Sequence, residues 1–125
     1  MAMSDQELQE QIRQLQSMQG QLQAAAQQRQ QFEALKAENE RALDALGDVA
    51  DDAPVYRNVG SLLVQEAGKA AVESRIKDDL ETLEIRIKRL AGQEEQLRAS
   101  ASGLQAKLEA ALMQREGAGS APAGA

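Results

Sequence analysis

Val55-Tyr56-Arg57-Asn58-Val59-Gly60-Ser61-Leu62-Leu63-Val64-Gln65-Glu66 is the one stretch of this chain that does not read as helix. Valine, leucine and tyrosine fill it, and Gly60-Ser61 parts it into two runs. A glycine between two such runs supplies the positive φ that a two-residue hairpin turn needs. The stretch therefore predicts a β-hairpin over about residues 55–66. Two strands of this length are not stable alone in water. The chain offers no third strand, so the hairpin predicts an assembly in which other chains complete the sheet.

On both sides the sequence turns to Leu, Gln, Ala, Glu, Lys and Arg, the composition of long helices. Ser4-Asp5-Gln6-Glu7 forms a capping box, with Met3 and Leu8 placed for a hydrophobic staple, so the first helix begins near Asp5. Gly47, followed by Asp48, Asp51, Asp52 and Pro54, ends it. Its apolar stripe reads Leu8, Ile12, Leu15, Gln19, Leu22 and Ala26, then slips in phase and resumes as Phe32, Leu35, Asn39, Ala42 and Leu46. Such a slip changes the winding of a coiled coil locally. The second helix, about residues 69–116, has a cleaner stripe: Ile76, Leu80, Leu83, Ile87, Leu90, Glu94, Leu97, Ala101, Leu104, Leu108 and Ala111.

Two helices of near-equal length, joined by a short β element, predict a mainly α fold: a long antiparallel two-helix coiled coil with one hairpin at its base. Leu8 then faces Leu108, Ile12 faces Leu104, and both termini lie at the far tip. Residues 1–116 make one domain, and the low-complexity run at 117–125 predicts a disordered tail.

The composition excludes several function classes. Apolar residues are 42% of the chain, but many are alanine and only Phe32 and Tyr56 are aromatic, which suits a seam rather than a globular core. A formal charge of −6 is a poor match for phosphate backbones, so no nucleic-acid partner is expected. The chain lacks cysteine and histidine, and with them disulfides, thiolate metal sites and the commonest general base. Asp48, Asp51 and Asp52 lack calcium-loop spacing, and no Gly-rich phosphate loop or nucleophile elbow occurs. No apolar run reaches the length of a membrane span or a signal-peptide core. The expectation is a cytoplasmic protein that is not an enzyme and uses no cofactor, metal or membrane.

Val55-Tyr56-Arg57-x-Val59-Gly60-x-Leu62-Leu63-Val64 resembles the strand-turn-strand signature of the β class of prefoldin subunits. Leu83-Glu84-Ile85-Arg86-Ile87 resembles the matching part of the family's second helix. The similarity runs from about Leu8 to Met113, and a single hairpin matches the β class rather than the α class. The resemblance implies a heterohexamer of two α-class and four β-class subunits, whose hairpins close into β-barrels. It also implies an ATP-independent holdase that binds non-native proteins and passes them to a group II chaperonin. Subunit assembly would then rest on Val55, Tyr56, Val59, Gly60, Leu62, Leu63 and Val64.

At the tip the seam ends, and two helices cannot cover Leu8, Ile12, Leu15, Leu104, Leu108, Leu112 and Met113 together. Exposed apolar surface of this kind suits unfolded clients, and methionine adapts to varied partners. These seven residues are the expected client site. The alternative is a structural coiled-coil scaffold that dimerises and binds one fixed partner.

Overall fold

The structure, a computed structural model, describes residues 3–120, with side chains through residue 116. Four elements follow in order: α1 (Asp5–Gly47), β1 (Tyr56–Val59), β2 (Leu62–Gln65) and α2 (Lys69–Ser120). The Ser4 hydroxyl accepts from the Glu7 backbone N–H at 3.2 Å, closing the first turn of α1. Met3 packs against the cluster that holds Leu8, as a staple requires. At the other end, the N–H groups of Asp48 and Val49 reach back three residues to Ala45 and Leu46, tightening the last turn. α2 opens after Gly68, whose φ of 135° is open only to glycine, and whose carbonyl accepts from the Val72 N–H. It runs through Ser120 instead of ending at 116, since adding residues to a formed helix is far easier than nucleating one. The rest of the expected tail, residues 121–125, lies outside the described residues.

The chain divides into two compact units: Gln28–Arg89, and Met1–Gln27 with Leu90–Ala125. In the first, the hairpin unit, Leu46, Val72 and Ile76 form a buried cluster, with Leu43, Val55 and Leu80 against it. Lys36 lies 3.6 Å from Glu84 across the two helices, and the Arg86 guanidinium sits 5.6 Å from the Phe32 ring centroid. In the second, the terminal unit, Leu8, Leu108 and Ala111 are buried together, flanked by Leu15 and Leu104. Arg115 pairs with Asp5 there. Within each unit the helices pack antiparallel.

Burial along α2 recurs at all eleven positions of the expected stripe, from Ile76 to Ala111. Along α1 it differs from expectation. A continuous row of buried and half-buried residues runs through Leu8, Gln11, Leu15, Met18, Leu22, Ala25, Arg29, Phe32, Lys36, Asn39, Leu43 and Leu46, spaced by threes and fours without a slip, with Ala26 and Ala37 half-buried beside it. Ile12, Gln19, Leu35 and Ala42 therefore lie outside the seam and are exposed. The heptad phase is kept by geometry even where its positions are polar. Glu94 of α2, 4% exposed, is a further polar seam position.

Gln11 carries a cost, because its Oε1 is buried without a hydrogen-bond partner. A buried unsatisfied group costs about 1–3 kcal/mol. Gln11→Leu should therefore stabilise the full chain, by about 1–2 kcal/mol. Leu90→Ala, at a fully apolar seam position, should cost about 2–4 kcal/mol. Thermal unfolding reads both, and a lower melting temperature for Gln11→Leu would show that the amide is bonded in solution.

Candidate functional site

Apart from Leu35 and Ile85, the large apolar side chains that face solvent gather in two places, and the first is the hairpin. β1 and β2 pair antiparallel, Tyr56 with Gln65, Arg57 with Val64, Asn58 with Leu63 and Val59 with Leu62. One more rung forms where the Glu66 N–H donates to the Val55 carbonyl at 2.8 Å. Gly60 has a φ of 60° and Ser61 does not share the positive sign, the pattern of a type II′ turn. Oriented with its amide nitrogen towards them, Asn58 donates to the carbonyls of Gly60 and Leu62 at 3.2 Å each, bracing that turn.

Directly paired residues share a face, and faces alternate along a strand. Arg57, Val59, Leu62 and Val64 thus lie on one face, which Val55 and Glu66 extend. Tyr56, Asn58, Leu63 and Gln65 lie on the other. Every residue of both strands is exposed. Leu62 is 66% and Leu63 71% accessible, well beyond what an isolated soluble hairpin would hold in water. Each strand is also an edge, with one row of backbone groups unpaired by the sheet.

Charged residues anchor this hairpin to the helices. Glu66 sits 2.9 Å from Arg75 on α2 and 3.3 Å from Arg57 on β1, with only 16% of its side chain exposed. Lys69 donates to the Val49 carbonyl at 2.7 Å and lies 3.5 Å from Asp51, tying the α1–β1 loop to the start of α2. Nothing in the local sequence marks these contacts, because Glu66 and Arg75 belong to different elements, as do Val49 and Lys69.

The second place is the terminal unit. Asp5, Leu8, Gln9 and Ile12 of α1 line an open groove with Leu108, Leu112 and Arg115 of α2. The seven expected tip residues divide within this unit. Leu8 and Leu108 are buried, Leu15 and Leu104 are half-buried, and Ile12, Leu112 and Met113 are exposed. Only these last three offer surface without any rearrangement of the helices.

Residues 9–115 match the sequence profile of prefoldin subunits, which covers both helices and the hairpin. The chain belongs to the prefoldin subunit family. It is 43% identical over 106 residues to prefoldin subunit beta of Methanosarcina acetivorans, covering 85% of this chain and 90% of that one. It is 45% identical over 106 residues to prefoldin subunit beta of Archaeoglobus fulgidus, with the same coverage. The crystal structure of the prefoldin beta subunit from Thermococcus strain KS-1 superposes with a TM-score of 0.77 at 36% identity, over 90% of this chain and 97% of that one. A beta2 subunit from the same strain shares the fold at a TM-score of 0.63 and 22% identity. Prefoldin subunits are chaperone components, and nothing in the exposed hairpin or the terminal groove departs from that class of work.

The prefoldin hairpin gives a direct test. A Cβ built on Gly60 would meet nothing within 4 Å, so the penalty for a side chain there is purely one of backbone conformation. Gly60→Val should leave the helical circular dichroism intact and abolish co-assembly with partner subunits. Undiminished co-assembly by that variant would remove the hairpin from assembly.

Proposed function

We propose that this chain is a β-class subunit of a cytoplasmic heterohexamer of two α-class and four β-class prefoldin subunits. The assembly holds non-native proteins without ATP and delivers them to a group II chaperonin. The observation that carries the proposal is the hairpin, whose apolar residues are exposed on both faces in the single chain. Val55, Val59, Leu62 and Val64 form the face that enters a shared barrel, while Tyr56 and Leu63 serve the opposite face. Gly60 sets the turn. Main-chain pairing along the free edges supplies affinity, and the apolar face supplies the burial that two strands lack alone.

Clients bind at the ends of the helices. Ile12, Leu112 and Met113 make the first contact, being exposed already. Leu8, Leu15, Leu104 and Leu108 add surface when the last turns fray, as helix termini do most readily. Exposed apolar surface has little sequence preference, which suits a holdase. The subunit performs no catalysis and needs no cofactor or metal.

Native mass measurement after co-expression with an α-class subunit checks the stoichiometry, and a dimer of this chain alone would favour a fixed scaffold. Shortening both helices, by removing residues before Leu15 and after Ala101, checks the client site. Hexamers should persist, because the hairpin is untouched, while suppression of client aggregation should largely disappear. A shortened hexamer that protects clients fully would move the site inward.

A further inference from the structure

The groove of the terminal unit has an apolar floor of Leu8, Ile12, Leu108 and Leu112, with Asp5 and Arg115 as its charged lining. Leu112 and Met113 are both bracketed on the helix surface by Glu109 and Glu116, which stand three or four residues away from each. Glu109 accepts a hydrogen bond from Gln105 at 3.4 Å, a neutral donor that leaves its charge uncompensated. The one cation lining the groove, Arg115, is taken up by Asp5. Arg13 and Lys107 are the other basic residues of this end. Lys107 sits about 140° around α2 from Leu112, off that face, whereas Arg13 stands four residues from Gln9, on the α1 side of the groove. Gln9 and Gln16, the polar neighbours of Ile12 at three and four residues, are neutral. The α2 side of the patch, around Leu112 and Met113, is therefore framed by the negative charge of Glu109 and Glu116, since the cation on that side, Arg115, pairs with Asp5.

We propose that this groove takes apolar segments of non-native chains that are flanked by lysine or arginine, and disfavours those flanked by acidic residues. The inference rests on the reading of the helix ends as the client site and adds a charge preference to it. The physical basis is complementarity: a short apolar core fills the groove between Ile12 and Leu112, and basic flanks lie beside Glu109 and Glu116. Such exposed pairs are individually weak and salt-screened, so they bias the choice among apolar segments without replacing apolar burial as the source of affinity. The chain's formal charge of −6 acts in the same direction at longer range, steering basic segments towards the helices.

Two labelled peptides with one Leu/Ile/Val core, flanked by lysines in one and glutamates in the other, test this against the full-length chain assembled with its partner subunits. Fluorescence anisotropy at low salt should show the Lys-flanked peptide binding about five-fold tighter, with near parity at 1 M salt. Glu109→Gln combined with Glu116→Gln should bring the two peptides close to parity at low salt. Equal binding by the wild type, or tighter binding of the Glu-flanked peptide, overturns the inference. So does a preference that survives intact in the double variant, because it would then come from the overall charge. Ile12→Ser with Leu112→Ser separates the two levels of the reading. If it weakens both peptides while the flanks make no difference, only the charge preference fails. If it weakens neither, or neither peptide binds the wild type, the client site itself lies elsewhere and the inference falls with it. If it changes the mass of the assembly instead, a second copy covers the groove, which also overturns the proposal.

Discussion

Two helices packed side by side hide one narrow stripe of each other and nothing more. That geometric limit governs this chain, because the described residues hold no third layer to cover what the stripe leaves out. Every apolar side chain must either keep the heptad phase or face solvent. Leu83, Leu90 and Leu108 keep it and are buried. Ile12, Leu35, Ile85, Leu112 and Met113 do not, and each is exposed. The hairpin obeys the same limit more severely, since two strands have no interior at all. The exposed apolar surface of this subunit is thus a consequence of its architecture.

The limits of the sequence are clearest on α1. On α2 the seam residues are nearly all aliphatic, so counting hydrophobic spacing finds them from Ile76 onward and misses Val72, one turn earlier. On α1 the same count settles on Ile12 and Gln19, which are exposed, whereas Gln11 and Met18 beside them are half-buried, and next to the expected Ala26, itself half-buried, Ala25 is buried. An isoleucine beside a glutamine draws the eye, but the helix keeps the phase set by Leu8 and Leu15. Further along, Arg29 and Lys36 hold seam positions with their long aliphatic stems, which a scale of hydrophobicity scores as polar. The apparent phase slip was a run of polar seam residues. The misplacement bears on the candidate site as well: Ile12 was expected to be part of the seam that opens, and it stands outside the seam altogether.

The hairpin was legible for local reasons. A glycine at positive φ, β-formers on either side and no further strand are all visible in twelve consecutive residues. The facing of its side chains follows from the turn length alone. What could not be read are the ties that fix it to the rest of the fold. Glu66 lies between Arg57 and Arg75, and Lys69 lies between Val49, Asp51 and Glu73. These side chains meet only because the backbone turns between them, and charged residues at a helix start have many other uses. The half-buried setting of Glu66 makes such a tie worth more than an open surface pair.

The antiparallel pairing also sets the order in which the fold can be made. Leu46 meets Val72 across little more than the hairpin, while Leu8 meets Leu108 across nearly the whole chain. Closing the short span loses far less chain entropy than closing the long one, and each formed turn shortens the next closure. Folding therefore zips away from the hairpin. During synthesis Leu8 and its neighbours emerge first and must wait for their partners longest. For that interval the start of α1 is itself a non-native segment with its apolar stripe uncovered.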